Sequence, residues 1–254
     1  MNTLRENILI PIGNFFFRWR DTTFPLVFAL AFYLVQFKEL AVGDKQFEIA
    51  ITILGCLVAF TGQAIRAITI GYAYIKRGGL NKRIYADRLV VEGMFNHARN
   101  PLYTGNILIL LGGILVLNMF WYYVIVLPAF YIIYISITLA EEKFLKGKFG
   151  DEYMAYMKKV NRFLPHRFSE WNKSIEGMDF TWTRLIKKEH NTTFILATVL
   201  TVFIILKFHF RYGLAFDAPG AMVGYGVLAA ILIFQLTAVI LKKTGRLEWD
   251  PNRL

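Results

Sequence analysis

Long apolar runs separated by basic segments constrain the fold of this chain more than any other feature. A helix needs about 20 mostly apolar residues to cross the hydrocarbon core of a bilayer. Six runs approach that length, covering about residues 24–37, 47–75, 102–117, 120–140, 193–208 and 222–241. We therefore predict an all-α, polytopic helical membrane protein with about six transmembrane helices.

The composition supports this class and argues against others. Hydrophobic residues make up 56% of the 254 residues and charged residues only 19%, whereas a soluble domain carries about a quarter charged residues. This excludes a soluble globular enzyme and a disordered chain. Cys56 is the single cysteine, so a disulfide scaffold is excluded too. We expect no nucleic-acid partner despite the net charge of +11, because cytoplasmic loops of membrane proteins are rich in Lys and Arg.

The distribution of basic residues predicts the orientation. Of the 29 lysines and arginines, 24 fall in the N-terminal segment, residues 76–99, residues 143–188 and the C-terminal tail. Only Lys38, Lys45, Lys207 and Arg211 belong to the opposite side. The positive-inside rule then places both termini in the cytoplasm and makes the number of crossings even. We expect no cleavable signal peptide.

The third and fourth runs form a predicted hairpin. About 40 residues separate Arg99 from Glu141, enough for two crossings at about 1.5 Å per residue. We therefore expect Arg99, Asn100 and Tyr103 to meet Glu141 and Glu142 at the cytoplasmic mouth. If the two glutamates end a helix, the helix dipole disfavours them. They would then need a cationic partner or ligand.

The rest of the chain is predicted as follows. Residues 145–164 form a basic amphipathic helix on the membrane surface, broken at Gly147 and Gly150. Residues 166–190 form a cytoplasmic connector with an interfacial piece near 180–186, and residues 191–254 an additional helical hairpin. We treat residues 1–254 as a single membrane domain. No metal site is expected, because the four histidines lack metal-like spacing; His97 and Glu142 are weak candidate bases.

Arg66 lies within the second run, with Gln63 one turn away. A charged residue inside a span suggests function by default. Snorkelling toward Lys76, or a helix–helix hydrogen bond, is the alternative.

Several motifs together resemble one family. They are R-N-P-L-Y-T-G at 99–105, E-E-K-F-L at 141–145, F-G-D-E-Y-M-A-Y at 149–156 and R-F-L-P at 162–165, with Gly62–Arg66, Ile70-Gly71 and Val91-x-Gly93 upstream. They resemble the C-terminal signature of integral-membrane methyltransferases, a group that includes isoprenylcysteine carboxyl methyltransferases and phospholipid N-methyltransferases. The resemblance covers residues 55–165 and leaves out the last two runs.

This resemblance implies a methyltransferase that uses S-adenosylmethionine on a lipid-like or small apolar acceptor, which enters from the lipid bilayer. The resemblance implies that Arg99 and Glu142 support the cofactor contacts, and we take these two residues as catalytic candidates, together with Arg66 because it is a charged residue within a span. The implied cofactor contacts are Asp87, Arg88, Leu89, Val90, Phe95, Asn100, Pro101, Leu102, Tyr103, Glu141 and Tyr153, with Arg162 and Tyr153 closing the cytoplasmic side. The resemblance does not decide whether the protein forms a homodimer or what the last two runs do.

Two departures from the family pattern concern the acceptor. Asn100 stands where the family often has His. Ile137 stands where the prenylcysteine enzymes have a substrate-binding Arg, which argues against a prenylcysteine carboxylate. Two other functions remain open: an NADPH-dependent, sterol-reductase-like membrane enzyme, and a non-enzymatic scaffold or transport component.

Overall fold

Six long helices make up most of the protein. The computed structural model describes residues 5–34, 36–73 and 84–248. The long helices are α1 (Ile10–Leu34), α2 (Lys45–Tyr72), α3 (Pro101–Leu117), α4 (Leu127–Lys159), α5 (Trp182–Tyr212) and α6 (Pro219–Lys243). Short helical segments at Arg5–Leu9, Lys38–Leu40, Gly93–Asn96, Tyr122–Val126, Phe168–Glu170 and Trp171–Ser174 connect or extend them. The described part contains no β-strand, only an isolated bridge between Ala41 and Met119, so the all-α prediction is confirmed.

Among the residues that the structure describes, four segments are long and apolar enough to cross a membrane by length and composition. They are Lys45–Tyr72, Tyr122–Lys159, Trp182–Tyr212 and Pro219–Lys243. Helix α3 is shorter, with 17 residues, at the lower end of the usual spanning range of about 17–25. The protein is therefore a polytopic membrane protein, and the sidedness of its termini stays a prediction.

Two helices have boundaries that differ from the predicted ones. Helix α4 does not end at Glu141–Glu142 but continues to Lys159, with a break at Gly150, where φ is 53° and ψ is −124°. The dipole argument for the two glutamates was therefore wrong in its premise. The predicted break at Gly150 is present, whereas the chain at Gly147 is helical. Helix α5 begins at Trp182 rather than near residue 193, so residues 182–190 belong to it.

Glycines bring α2 and α3 into close contact. A Cβ on Gly62 would lie 2.5 Å from the Gly105 backbone oxygen, and one on Gly112 would lie 2.4 Å from that of Gly55. These two glycine pairs let the helix backbones approach, as small residues do in membrane helix pairs. Helix α5 packs across both helices, while α6 packs on α5 and α1 packs on α4.

The end of the bundle opposite Arg99 is closed by a buried charge cluster. Glu48 pairs with Lys207 at 3.1 Å and with Arg211 at 2.8 Å, and all three side chains have 0% exposure. Asn118, at the turn after α3, donates to a Glu48 oxygen at 3.2 Å. Lys207 and Arg211 were counted among the basic residues of the opposite side. The structure buries both at this end of the bundle, where a carboxylate compensates their desolvation.

Candidate functional site

A buried ion-pair cluster lies where the hairpin of α3 and α4 returns to its starting side. Glu142 on α4 has a side chain with 0% exposure. Arg99 donates to its Oε1 at 2.9 Å, and Arg162 donates to both oxygens at 2.9 and 2.8 Å. Two guanidinium groups thus share one carboxylate, and its hydrogen bond raises the pKa of Arg162. The predicted meeting of Arg99 with the acidic pair is confirmed.

Arg99 also fixes the chain that follows α4. Its Nη1 donates to the backbone oxygens of Met157 at 3.0 Å and Val160 at 2.6 Å. Its Nε is buried and has no hydrogen-bond partner among the described residues. Arg99 and Glu142 therefore hold the part of α4 beyond the break at Gly150, residues 151–159, against the start of α3. This part is called the arm of α4. With this burial and pairing, neither side chain is placed like a general base or a nucleophile, and we assign them a positioning role.

Glu141 and Tyr103 lie beside this ion-pair cluster at the same end of the α3–α4 hairpin and are more exposed than Glu142. The site formed by these residues is called the mouth. The Tyr103 hydroxyl donates to Glu141 Oε1 at 2.8 Å, and both side chains are half-buried. Asn100 Nδ2 donates to the Arg162 backbone oxygen at 3.2 Å, so the residue that stands in place of the family's His anchors the chain after the arm. A half-buried carboxylate beside a phenol is suited to hold a ligand that carries an ammonium or hydroxyl groups.

The loop before α3 covers one side of the mouth. Leu89 and Val91 pack against a buried cluster that includes Tyr153 and Tyr156 on the arm of α4. The Tyr156 hydroxyl donates to the Phe95 backbone oxygen at 2.6 Å. Near the start of the same loop, Asp87 accepts a hydrogen bond from the Tyr85 hydroxyl, which raises the pKa of Tyr85. Loop and arm thus form one packed unit.

The remaining predicted site residues differ in exposure. Asp87 and Arg88 are exposed; Leu89, Val90 and Leu102 are half-buried; Phe95, Pro101 and Tyr153 are buried. Tyr153 is only 2% exposed. It therefore supports the loop from inside and offers almost no surface to a ligand in this conformation.

His97 is placed unlike a catalytic base. Its ring is buried, Nδ1 lies 2.8 Å from the His166 backbone oxygen, and Nε2 lies 2.9 Å from the Ser174 hydroxyl. The ring stacks on Phe168 with centroids 5.6 Å apart. Both nitrogens are thus engaged, and His97 fastens the connector to the loop before α3.

Arg66 belongs to a second polar cluster, between helices. It is 6% exposed and pairs with Glu189 on α5, with Nε donating at 3.1 Å and Nη2 at 3.0 Å. Its Nη1 donates to the side-chain oxygen of Asn106 on α3, and Gln63 donates to Thr193 at 2.9 Å. Arg66 was predicted either to snorkel toward Lys76 or to form a helix–helix hydrogen bond, and the structure shows the hydrogen bond. Lys76, the proposed snorkelling direction, lies outside the described residues.

An apolar cavity of about 180 Å³ lies beside the mouth at Tyr103 and Glu141, and residues of α1, α3, α4 and α5 line it. Its wall includes Asn106, Phe130, Tyr134, Thr192 and Phe203. The Tyr134 ring lies 5.9 Å from that of Tyr103, which itself binds Glu141. The polar mouth and the apolar cavity are therefore neighbours, separated by two tyrosine rings.

Asn106 and Glu189 were not predicted from the sequence as partners of Arg66. The available signal for Glu189 was an acidic residue at the start of an apolar run, three positions before Thr192. The connector prediction placed it in a loop. Asn106 follows the recognised R-N-P-L-Y-T-G motif directly, but an asparagine in a span has many explanations. Only the packing of α5 against α2 and α3 brings these side chains together.

A comparison with known families adds an independent observation. Residues 50–152 match the family model described as phospholipid methyltransferase. The match confirms the resemblance to integral-membrane methyltransferases and supports a membrane methyltransferase. It includes Arg99, Glu141 and Glu142 and ends before Arg162. Among curated proteins and among solved structures, none matches the chain.

Proposed function

We propose that this chain, with its phospholipid methyltransferase segment, transfers a methyl group from S-adenosylmethionine to a lipid-like acceptor at the mouth formed by Tyr103 and Glu141. The observation that carries the proposal is the contact between the polar mouth and the apolar cavity through Tyr103 and Tyr134. A water-soluble ligand and an apolar one reach adjacent positions only at such a boundary.

The donor set fits the cofactor. Glu141 offers a half-buried carboxylate for an ammonium group or for ribose hydroxyls. The Nε–H of Arg99 is buried without a partner among the described residues, which suits a nearby carboxylate. The half-buried Leu89 and Val90 supply an apolar surface for the adenine ring of the cofactor. When bound, the cofactor supplies an electrophilic methyl group on a sulfonium.

The protein's own contribution is alignment and exclusion of water. Arg99, Glu142 and Arg162 lock the arm of α4 to the start of α3, which fixes the position of Glu141. The loop at residues 84–95 covers the mouth, and the cavity holds the apolar part of the acceptor. Restricting two reactants to one geometry lowers the barrier of a displacement reaction without any covalent step on the protein.

The test is binding of S-adenosylhomocysteine to the purified protein in detergent, measured by calorimetry. We expect the wild type to bind it, Glu141→Ala to lose binding at least about tenfold, and the matched variant Glu152→Ala, exposed on the same arm, to bind as the wild type does. Incubation with membrane lipids and methyl-labelled cofactor, followed by mass spectrometry, then identifies the acceptor. Heat from NADPH and none from S-adenosylhomocysteine would overturn the proposal.

A further inference from the structure

Asn106 has a fixed orientation in the wall of the apolar cavity. A guanidinium group only donates hydrogen bonds, so the atom of Asn106 that faces Arg66 Nη1 is its side-chain oxygen. The amide nitrogen therefore points elsewhere. It donates to no partner among the described residues, and Asn106 is half-buried at the cavity surface. The cavity wall thus includes a side-chain amide whose N–H donors are not engaged by the described residues.

The ion pair behind Asn106 is electrically matched. Glu189 binds Arg66 through both carboxylate oxygens, at 3.1 and 3.0 Å, and its side chain is 2% exposed. Among the described residues that line the cavity, none is charged. A charged group placed there without a partner would incur a large desolvation penalty. The cavity therefore favours an uncharged ligand.

Asn106 also has the right position along α3. It lies three residues after Tyr103, so the two side chains lie on neighbouring positions of one helix face. Tyr103 faces Glu141 in the mouth, and Asn106 faces the cavity. An acceptor whose apolar part fills the cavity would thus present its polar end to Asn106 next to the reaction site.

We propose that Asn106 recognises the methyl acceptor by donating a hydrogen bond to an uncharged oxygen at the polar end of a lipid, while Arg66 and Glu189 orient the amide. This rests on the proposed function for the identity of the lipid as acceptor. It makes Asn106 a specificity-determining residue and Arg66 and Glu189 positioning residues. It also gives α5, outside the matched family segment, a role in substrate choice.

The test compares probes that share an 18-carbon chain. Native mass spectrometry of the purified protein, without cofactor, measures binding of methyl oleate, 1-octadecene, oleate and oleylamine. One hydrogen bond in an apolar site makes methyl oleate bind about five- to tenfold more tightly than 1-octadecene. We expect the wild type to show this preference and to bind oleate and oleylamine more weakly than methyl oleate.

Three variants examine the residues. Asn106→Asp keeps an oxygen for Arg66 but removes the N–H donor, so the preference for methyl oleate disappears; Asn106→Leu gives the same result if the aspartate variant does not fold. Glu189→Gln leaves the Arg66 charge unmatched and shifts the preference toward oleate. Asn191 is exposed on α5 and its side-chain oxygen accepts a hydrogen bond from Gln235 at 2.8 Å. Asn191→Asp keeps that acceptor, is the matched control and retains the wild-type order.

Two results would overturn the inference: equal binding of methyl oleate and 1-octadecene by the wild type, or an unchanged preference in both Asn106 variants. Binding of S-adenosylhomocysteine is measured on the same samples and is expected to be unaltered in Asn106→Asp. If the wild type shows the Asn106-dependent preference but does not bind S-adenosylhomocysteine, the proposed function fails while lipid recognition by Asn106 stands.

Discussion

Replacing Glu142 by glutamine tests whether the buried carboxylate holds the mouth together. Glu142 has no exposed side-chain surface and accepts three hydrogen bonds from Arg99 and Arg162. Glutamine has nearly the same volume, and its oxygen can still accept the two hydrogen bonds that Oε1 receives, but it carries no negative charge and its NH₂ would face Arg162 Nη2. The buried Arg99 and the partly exposed Arg162 would then lie side by side without the Glu142 charge between them. Breaking a buried ion pair from one side costs about 3–5 kcal/mol.

This loss is measurable as a change in melting temperature. For a chain of this size, each kcal/mol corresponds to about 2–4 °C, so Glu142→Gln should lower the melting temperature by about 6–20 °C. Tryptophan fluorescence during heating in detergent reports unfolding. Limited trypsin digestion gives a local reading. Lys158 and Lys159 are exposed but helical, so cleavage there increases once the arm detaches from Arg99 and its backbone unwinds.

The matched control is Glu170→Gln. Glu170 also binds an arginine through bidentate hydrogen bonds, from Arg167, but that pair is exposed to solvent. Exposed ion pairs contribute little, so the melting temperature should stay within about 2 °C of the wild type. A Glu142→Gln protein that melts as the control does, with the arm equally resistant to trypsin, would refute the assignment of Glu142 as the anchor of the mouth.

Two glycine substitutions test the backbone that positions the site. Gly112→Val should destabilise the protein by about 1–3 kcal/mol or more, because a Cβ there would lie 2.4 Å from the Gly55 backbone oxygen; Gly147→Ala, with nothing within 4 Å, should leave or slightly raise the melting temperature in the same assay. Gly150→Ala should cost about 1–3 kcal/mol, because φ at Gly150 is 53°, and the arm beyond it should become more sensitive to trypsin; equal sensitivity would contradict the assigned break.

The sequence predicted those parts of the molecule that follow from local patterns. Apolar runs located the long helices, and a hairpin of known length placed Arg99 beside Glu142. Both inferences depend only on helix geometry. The boundaries were less predictable: the run that ends at residue 140 and the helix predicted at residues 145–164 form one helix that ends at Lys159, because the charged residues that follow the apolar layer are good helix formers.

The polar contacts between distant helices could not be predicted in this way. The partner of Arg66 is Glu189, 123 positions away, and nothing in either local sequence specifies the other. Likewise, Lys207 looks like a loop residue from its charge alone, yet it is buried against Glu48. Such pairs are determined by which helices pack together. A single sequence does not encode that packing in any periodic pattern.

These distant pairs define the register of α5 on α2. Glu48 and Arg66 lie at opposite ends of α2, separated by the same number of residues as Glu189 and Lys207 on α5, about 27 Å along each helix. Arg66 pairs with Glu189 at 3.0 Å, and Glu48 pairs with Lys207 at 3.1 Å. A slip of α5 by one turn would separate Arg66 from Glu189 and leave two buried charges unmatched, each at a cost of several kcal/mol. Glu48 would keep one cation after such a slip, because Lys207 and Arg211 lie one turn apart and both pair with it. The additional helix is therefore held in one position relative to the family segment, and that position places Glu189 behind the wall of the cavity.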